Sequence, residues 1–267
     1  MAERLRPTLE HERALWSDGH RWVAGFDEVG RGAWAGPVTV GIAVVSPSEE
    51  IGAMPEGLCD SKLVPEARRE ELFSEVAAWC DAWAVGHAQA SECDRYGMTA
   101  ALRLAGLRAL GALRRRMDAV LIDGPHDLLK DLSSVNGGAG PVDSPRRLPW
   151  SAVQADFDDA IARIRRRRPP KVVVPVIDGD ARCAAVAAAS ILAKVVRDRL
   201  MREESDHFPG YEFHANKGYP SPAHVMALRG YGLTSIHRRT WAFVDELYWL
   251  TGTGTTNPEP EGGRTVH

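Results

Sequence analysis

The chain lacks a Cys-x-x-Cys pair: its four cysteines, Cys59, Cys80, Cys93 and Cys183, are scattered, which argues against a zinc site, and nothing points to an oxidising compartment. No apolar run approaches the roughly 20 residues of a membrane helix. The N-terminus is charged rather than apolar, so no secretion segment is expected and the cytoplasm is the expected compartment. An excess of positive charge is missing as well. With 33 Lys and Arg against 36 Asp and Glu, a net charge of −3 and a pI near 6.3 give nucleic-acid binding no support from overall balance. A polyanion partner would need local basic surface, while some surplus acid suits carboxylates gathered around divalent cations. What remains is ordinary globular material, 267 residues at 44% hydrophobic and 26% charged, enough for one substantial core.

Apolar runs and helical periodicities alternate along the chain, which predicts the α/β class. Strands are expected at 21–27, 37–45, 83–89, 119–123 and 171–177, with 37–45 a hairpin-like partner of the first. Helices are expected at 65–81, with Pro65 in its first turn, and at 91–115, with Met98, Leu102, Ala105, Ala109 and Ala112 on one face. A further helix is expected at 181–203, where Val186, Ala189, Ala193, Val196 and Leu200 share a face and the alanines allow close approach to a sheet. Shorter ones are expected at 221–231 and 240–250. Residues 1–20 read as an N-terminal extension with Leu9, Leu15 and Trp16 anchoring a short helix, and 21–250 as the main domain. Residues 125–170, with Asn136-Gly137-Gly138, read as an insertion holding a helix at 151–165; its Arg165–Arg168 run reads first as a solvated basic face. Residues 251–267 are Gly, Thr, Pro and Glu rich and read as a disordered tail.

The chemistry concentrates in Val23-Ala24-Gly25-Phe26-Asp27-Glu28-Val29-Gly30-Arg31-Gly32. Adjacent carboxylates end an apolar run, and buried carboxylates are costly unless a proton, a base or a metal accompanies them. The Gly-Arg-Gly turn adds backbone N–H groups that a ligand can approach closely, and one cation suited to phosphate. Taken alone, the ten residues also fit a solvated acidic strand end followed by a common glycine turn. Neighbours on a strand face opposite sides, so either the strand is distorted at Asp27 and Glu28 or one of them reaches a metal indirectly.

Further segments recur in order: Asp60-Ser61-Lys62, Val120-Leu121-Ile122-Asp123-Gly124, Gly179-Asp180-Ala181-Arg182 with Ala187-Ala188-Ala189-Ser190-Ile191-Leu192-Ala193-Lys194, and Asn216-Lys217-Gly218-Tyr219. With them the chain resembles ribonuclease HII, the type 2 ribonuclease H of bacteria, from about Trp22 to about Val244. The resemblance implies a ribonuclease H-like fold: a mixed five-stranded sheet flanked by helices, with a helical C-terminal part. It implies Asp27, Glu28, Asp123 and Asp180 as catalytic, metal-binding carboxylates for Mg²⁺ or Mn²⁺, hard cations suited to oxygen ligands. Asp178 competes locally with Asp180, but counting back from Ser190 selects Asp180. N-capping of the following helix is the structural alternative for Asp180. Asp198 reads as an ion-pair partner of nearby arginines.

The resemblance also implies that Gly30, Arg31 and Gly32 contact the ribonucleotide. Tyr219 would pack on the next sugar and hydrogen-bond to the turn, Lys62 would contact a phosphate, and Lys194 and Lys217 are weaker phosphate candidates. His214, His224 and His237 are expected in structural or phosphate-contacting roles. The expected activity is metal-dependent endonucleolytic cleavage of the RNA strand of RNA–DNA hybrids and 5′ of single ribonucleotides in duplex DNA, carried out by a monomer. Two other readings stay open: a nuclease of general hybrids without junction preference, and a nucleic-acid-binding protein without catalysis.

Overall fold

The structure, a computed structural model, describes residues 6–47, 53–124 and 170–251. The expected helix at 151–165, the arginine run and residues 252–267 lie outside the described residues. Five strands form one sheet: β1 (Val23–Val29), β2 (Val38–Val45), β3 (Ala82–Ala88), β4 (Ala119–Asp123) and β5 (Val172–Val176), in the order β3-β2-β1-β4-β5. β1–β2 and β2–β3 are antiparallel, whereas β1–β4 and β4–β5 are parallel. The mixed five-stranded sheet is therefore as expected. β2, Val-Thr-Val-Gly-Ile-Ala-Val-Val, is buried along its whole length, as a continuous apolar run must be when helices cover both faces.

Among the described helices are α1 (Glu10–Ser17), α2 (Glu66–Trp79), α3 (Ala90–Tyr96), α4 (Met98–Ala112), α5 (Gly179–Arg182), α6 (Ala184–His207), α7 (Phe213–Asn216), α8 (Pro222–Tyr231) and α9 (Ala242–Thr251). Phe26, Val40, Ile42 and Ile122 pack with Leu104 and Leu107 of α4 on one sheet face. The opposite core joins Ala43 and Val45 to Leu72 and Val76 of α2 and to Ala185, Ala188, Ala189 and Leu192 of α6. A third cluster, with Ala35, Met201, Tyr211, Phe213, Leu228 and Phe243, is the helical C-terminal part. The helix–sheet contact on the α6 side is backbone-close: a Cβ on Gly25 would lie 2.1 Å from the Ala185 carbonyl carbon.

Two expected helices are each divided. The 91–115 pattern is α3 and α4, because Gly97 (φ 79°, ψ 161°) takes a backbone that no helix contains, while its N–H closes α3 on the Cys93 carbonyl. The 181–203 pattern is α5 and α6, divided at the extended residue Cys183. The cause is long-range. Thr8 pairs with Cys183, its N–H donating to Arg182 O (3.0 Å) and its carbonyl accepting from Ala184 N–H (3.0 Å). Ala112, expected on the apolar face of its helix, is exposed, whereas Leu102, Ala105 and Ala109 are buried. α6 is not one-sided: Ala184–Ala193 is buried all round between the sheet, α1 and α2.

Candidate active site

β1 and β4 run side by side in parallel, registered from Val23↔Ala119 to Phe26↔Ile122. Asp27 and Asp123 follow that last pair at neighbouring strand ends, on the side chain alternation of Gly25 and Leu121, which faces α6. The strand is regular through both acids, with Asp27↔Gly41 and Glu28↔Val40 in register. The distortion allowed for in β1 is therefore absent, and Glu28 leaves from the other side of the strand. It is only half-buried and pairs with Arg31 at 3.4 Å.

Asp180 is buried within α5, and Asp178 is exposed with φ 54° as the residue preceding that helix. Asp180 is thus not a helix N-cap, and the turn through Gly179 carries it toward β4, since Gly179 N–H donates to Asp123 Oδ1 (2.7 Å). The 3₁₀ turn Ser61–Leu63 approaches from another side, capped by Asp60 through the Lys62 N–H (2.9 Å). Lys62 Nζ lies 3.9 Å from Asp180 Oδ2 with its side chain 72% exposed. The Ser61 and Ser190 hydroxyls are hydrogen-bonded at 2.9 Å, and Ser190 also bonds Asp27.

Electrostatics shows how closely these groups converge. Burial holds Asp27 well above the usual carboxylate range; the Ser190 hydrogen bond opposes this, and the negative charges of Glu28, Asp123 and Asp180 add to it. Burial also raises Glu28, with Arg31 opposing and Asp123 adding. Asp180 is pushed up to about 6, first by burial, then by the charges of Asp60 and Asp123. Burial works to lower Lys62, yet Asp60, Asp27, Asp180 and Asp123 outweigh it and hold the ammonium above its ordinary value.

Five carboxylates therefore surround Lys62 and Arg31, a partly buried negative surplus. Among the described residues no three Asp, Glu, His or Cys side chains close around one point as a complete ligand set. All the donors are hard oxygens, and Mg²⁺-type ions keep several waters and take substrate phosphate oxygens besides one or two carboxylates. The residues fit such an ion as an open site rather than a cage.

Beside the carboxylates, Gly30–Ala33 closes a turn through Ala33 N–H→Gly30 O (3.2 Å), leaving Arg31 and Gly32 exposed. Gly30 has φ +85°, and a Cβ there would lie 2.2 Å from Arg197 Nε, so glycine is required on both counts. Its N–H donates to the Tyr219 hydroxyl (3.2 Å), the link to the turn expected of that tyrosine. The loop carrying Tyr219 is docked through Gly218 O, which accepts from Trp34 N–H (2.8 Å) and Ala35 N–H (3.2 Å).

Several expected and unexpected residues turn out to work inside the fold. Lys194 pairs with Asp198 at 2.6 Å, and Lys217 is buried against Glu66 at 3.2 Å, so neither ammonium is free for phosphate. Asp198 does pair with an arginine, but with Arg69 of α2 (3.0 Å) rather than a neighbour on its own helix. His224 and His237 are a buried pair 2.9 Å apart, and His214 bonds Ser205 at 3.1 Å. Sequence reading missed Asp60, Ser190 and two wholly buried arginines. Arg197 donates to Pro37 O (2.9 Å), Lys217 O (2.9 Å) and Ala35 O (3.2 Å), and lies 5.4 Å from the Tyr219 ring centre. Arg238 donates to Gly30, Arg31 and Gly36 carbonyls. In sequence both arginines resemble ordinary surface charge, and only burial distinguishes them.

The chain matches the family described as ribonuclease HII over residues 24–135 and 153–244. It is 45% identical over 242 residues to the ribonuclease HII of Streptomyces coelicolor, covering 90% of this chain and 86% of that protein. The fold is similar to the crystal structure of the ribonuclease H2 from Pyrococcus horikoshii OT3, with a TM-score of 0.61 and 26% identity over 87% of this chain and 100% of that one. The crystal structure of Bst-RNase HIII in complex with Mn²⁺ shares the fold at a TM-score of 0.57 and 17% identity, covering 88% of this chain and 71% of that one. Sequence, sheet order and family match agree: the chain belongs to the ribonuclease HII family and is a ribonuclease H, a divalent-metal-dependent endonuclease.

Proposed function

We propose that this enzyme hydrolyses the RNA strand of RNA–DNA hybrids and cuts 5′ of single ribonucleotides embedded in duplex DNA. The products would carry 3′-hydroxyl and 5′-phosphate ends, and the activity would support ribonucleotide removal from DNA. One observation carries the reading: buried Asp27 lies among the like charges of Glu28, Asp123 and Asp180, three residues before an exposed glycine turn that is tied to a tyrosine. Asp27, Glu28, Asp123 and Asp180 would hold Mg²⁺ or Mn²⁺, and the Mn²⁺ of Bst-RNase HIII supports such an ion in this fold. Bound there, a pair of divalent ions supplies acidification of the attacking water and neutralisation of the developing oxyanion.

The chain's own groups do the rest. Ser190 holds Asp27 by a hydrogen bond, and Gly179 N–H holds Asp123, so both carboxylates are oriented before substrate arrives. Lys62, mostly exposed, is free to exchange Asp180 for a backbone phosphate. Arg31 offers a second cation on the other flank. The 2′-hydroxyl distinguishes RNA from DNA because it both donates and accepts, and the turn Gly30–Arg31–Gly32 can meet it with backbone groups. The Tyr219 ring, about 4 Å from where a Cβ on Gly32 would sit, gives the neighbouring sugar a flat surface. A monomer is proposed; no described helix is long and apolar enough to cross a membrane, and the cytoplasm is the compartment proposed.

Cleavage of a labelled duplex carrying one ribonucleotide, with Mg²⁺, Mn²⁺ or EDTA, tests the reading beside an RNA–DNA hybrid and an all-DNA duplex. A single metal-dependent cut 5′ of the ribonucleotide is expected. Cleavage of the hybrid alone would keep the carboxylate site and remove the sugar-reading role of the turn and Tyr219. Binding without any cleavage would turn the case to a non-catalytic protein.

A further inference from the structure

Two buried side chains adjacent in sequence, His237 and Arg238, brace both halves of the sugar-facing surface from behind. Arg238 donates to the carbonyls of Gly30 (2.6 Å), Arg31 (2.9 Å) and Gly36 (3.3 Å), with Trp241 packed on its guanidinium at 4.9 Å. In a planar trans peptide, a carbonyl and the N–H of the next residue point in opposite directions. Drawing the Gly30 and Arg31 carbonyls inward therefore turns the N–H groups of Arg31 and Gly32 outward, and both residues are exposed. Successive outward N–H groups form a concavity for an oxygen acceptor.

The histidine works on the other half. His237 Nδ1 faces the donating Thr234 N–H (2.9 Å), so its proton sits on Nε2, which points at His224 Nε2 (2.9 Å). His224 Nε2 must then accept, and its protonated Nδ1 donates to the Tyr219 carbonyl (2.9 Å). One proton arrangement satisfies the whole chain, running from Thr234 to the backbone of Tyr219. Burial keeps both imidazoles neutral, His237 down to about 3. Since Tyr219 also accepts from Gly30 N–H, the two halves close into one frame.

We propose that Arg238 and His237, acting through His224, are positioning residues for ribose recognition, setting the outward N–H groups of the turn and the tilt of Tyr219. The inference rests on the proposed sugar-reading role of those elements. Neither side chain touches substrate.

The test compares wild type with Arg238→Lys, His237→Ala and His237→Gln on a duplex whose one strand holds a short run of ribonucleotides flanked by DNA. Lysine keeps the charge but replaces the planar fork with one ammonium. The glutamine amide can restore a donor toward His224. The decisive readout is the distribution of cut positions, which does not depend on how much enzyme is folded. Wild type is expected to cut once, 5′ of the ribonucleotide at the RNA–DNA junction. Arg238→Lys and His237→Ala should spread the cuts over neighbouring ribonucleotides and lose about 10- to 100-fold in kcat/KM, with His237→Gln nearer to wild type. Variants that cut at the wild-type position alone, however slowly, would overturn the inference, and if Arg238→Lys does not fold the histidine pair decides. A wild type that ignores the junction would instead sink the sugar-reading proposal itself, before any variant is compared.

Discussion

Glu12 of α1 is wholly buried, with one carboxylate oxygen accepting from Ala185 N–H (2.8 Å) and the other without a partner among the described residues. Burial pushes its carboxyl up from 4.5 to about 7, with the Ala185 bond opposing. A raised folded-state pKa means that the stabilisation is present below about pH 4.5 and is lost as pH rises through 7. The loss is on the order of 3 kcal/mol at one pKa unit per ~1.4 kcal/mol. Glu12→Gln keeps the acceptor and removes the charge, so its urea midpoint should fall clearly less than that of wild type between about pH 5 and pH 8, the site carboxylates still titrating in both. An equal fall in both proteins would contradict the assignment. At this scale Asp27 and Asp123 were legible in sequence, because acids at the ends of apolar runs stand out against their neighbours, whereas Asp180 was singled out only through the family resemblance. Glu12, Arg197 and Arg238 were not, because a charged residue in a polar segment looks the same whether it meets water or a carbonyl.

The elements were legible wherever the period came from one surface. β4 was read at its observed bounds, and β1 was displaced by two residues because its acids continue the strand instead of ending it. What escaped reading had two causes: a distant partner, the Thr8–Cys183 bridge, divides one helix, and the local backbone of Gly97 divides another. Close packing makes the α6–sheet contact intolerant. Gly25→Ala would force a methyl to within 2.1 Å of the Ala185 backbone, and overpacking of this kind typically costs about 1–3 kcal/mol or more. Gly111, near the end of α4, has open space for a Cβ, so Gly111→Ala should be neutral or stabilising by up to ~1 kcal/mol. Thermal unfolding of the two variants checks the contrast; a mild Gly25→Ala would mean that α6 can retreat from the sheet.

For the whole molecule, the sheet order brings β1 and β4 together at its centre, and the chain supplies acids to that place from four separate segments. Such a cluster opposes folding when no cation is present, because Asp27 is buried among like charges. Function and stability should therefore separate at this residue. The direct measurement is the melting temperature in EDTA at about pH 8, together with the cleavage rate in Mg²⁺, for wild type and Asp27→Asn. This repulsion predicts that the metal-free variant melts higher than wild type. Its cleavage should fall by about a thousand-fold or more, on the order of 4 kcal/mol of barrier. Cleavage near the wild-type rate, or inactivity accompanied by a lower melting temperature, would contradict it and return Asp27 to a structural role.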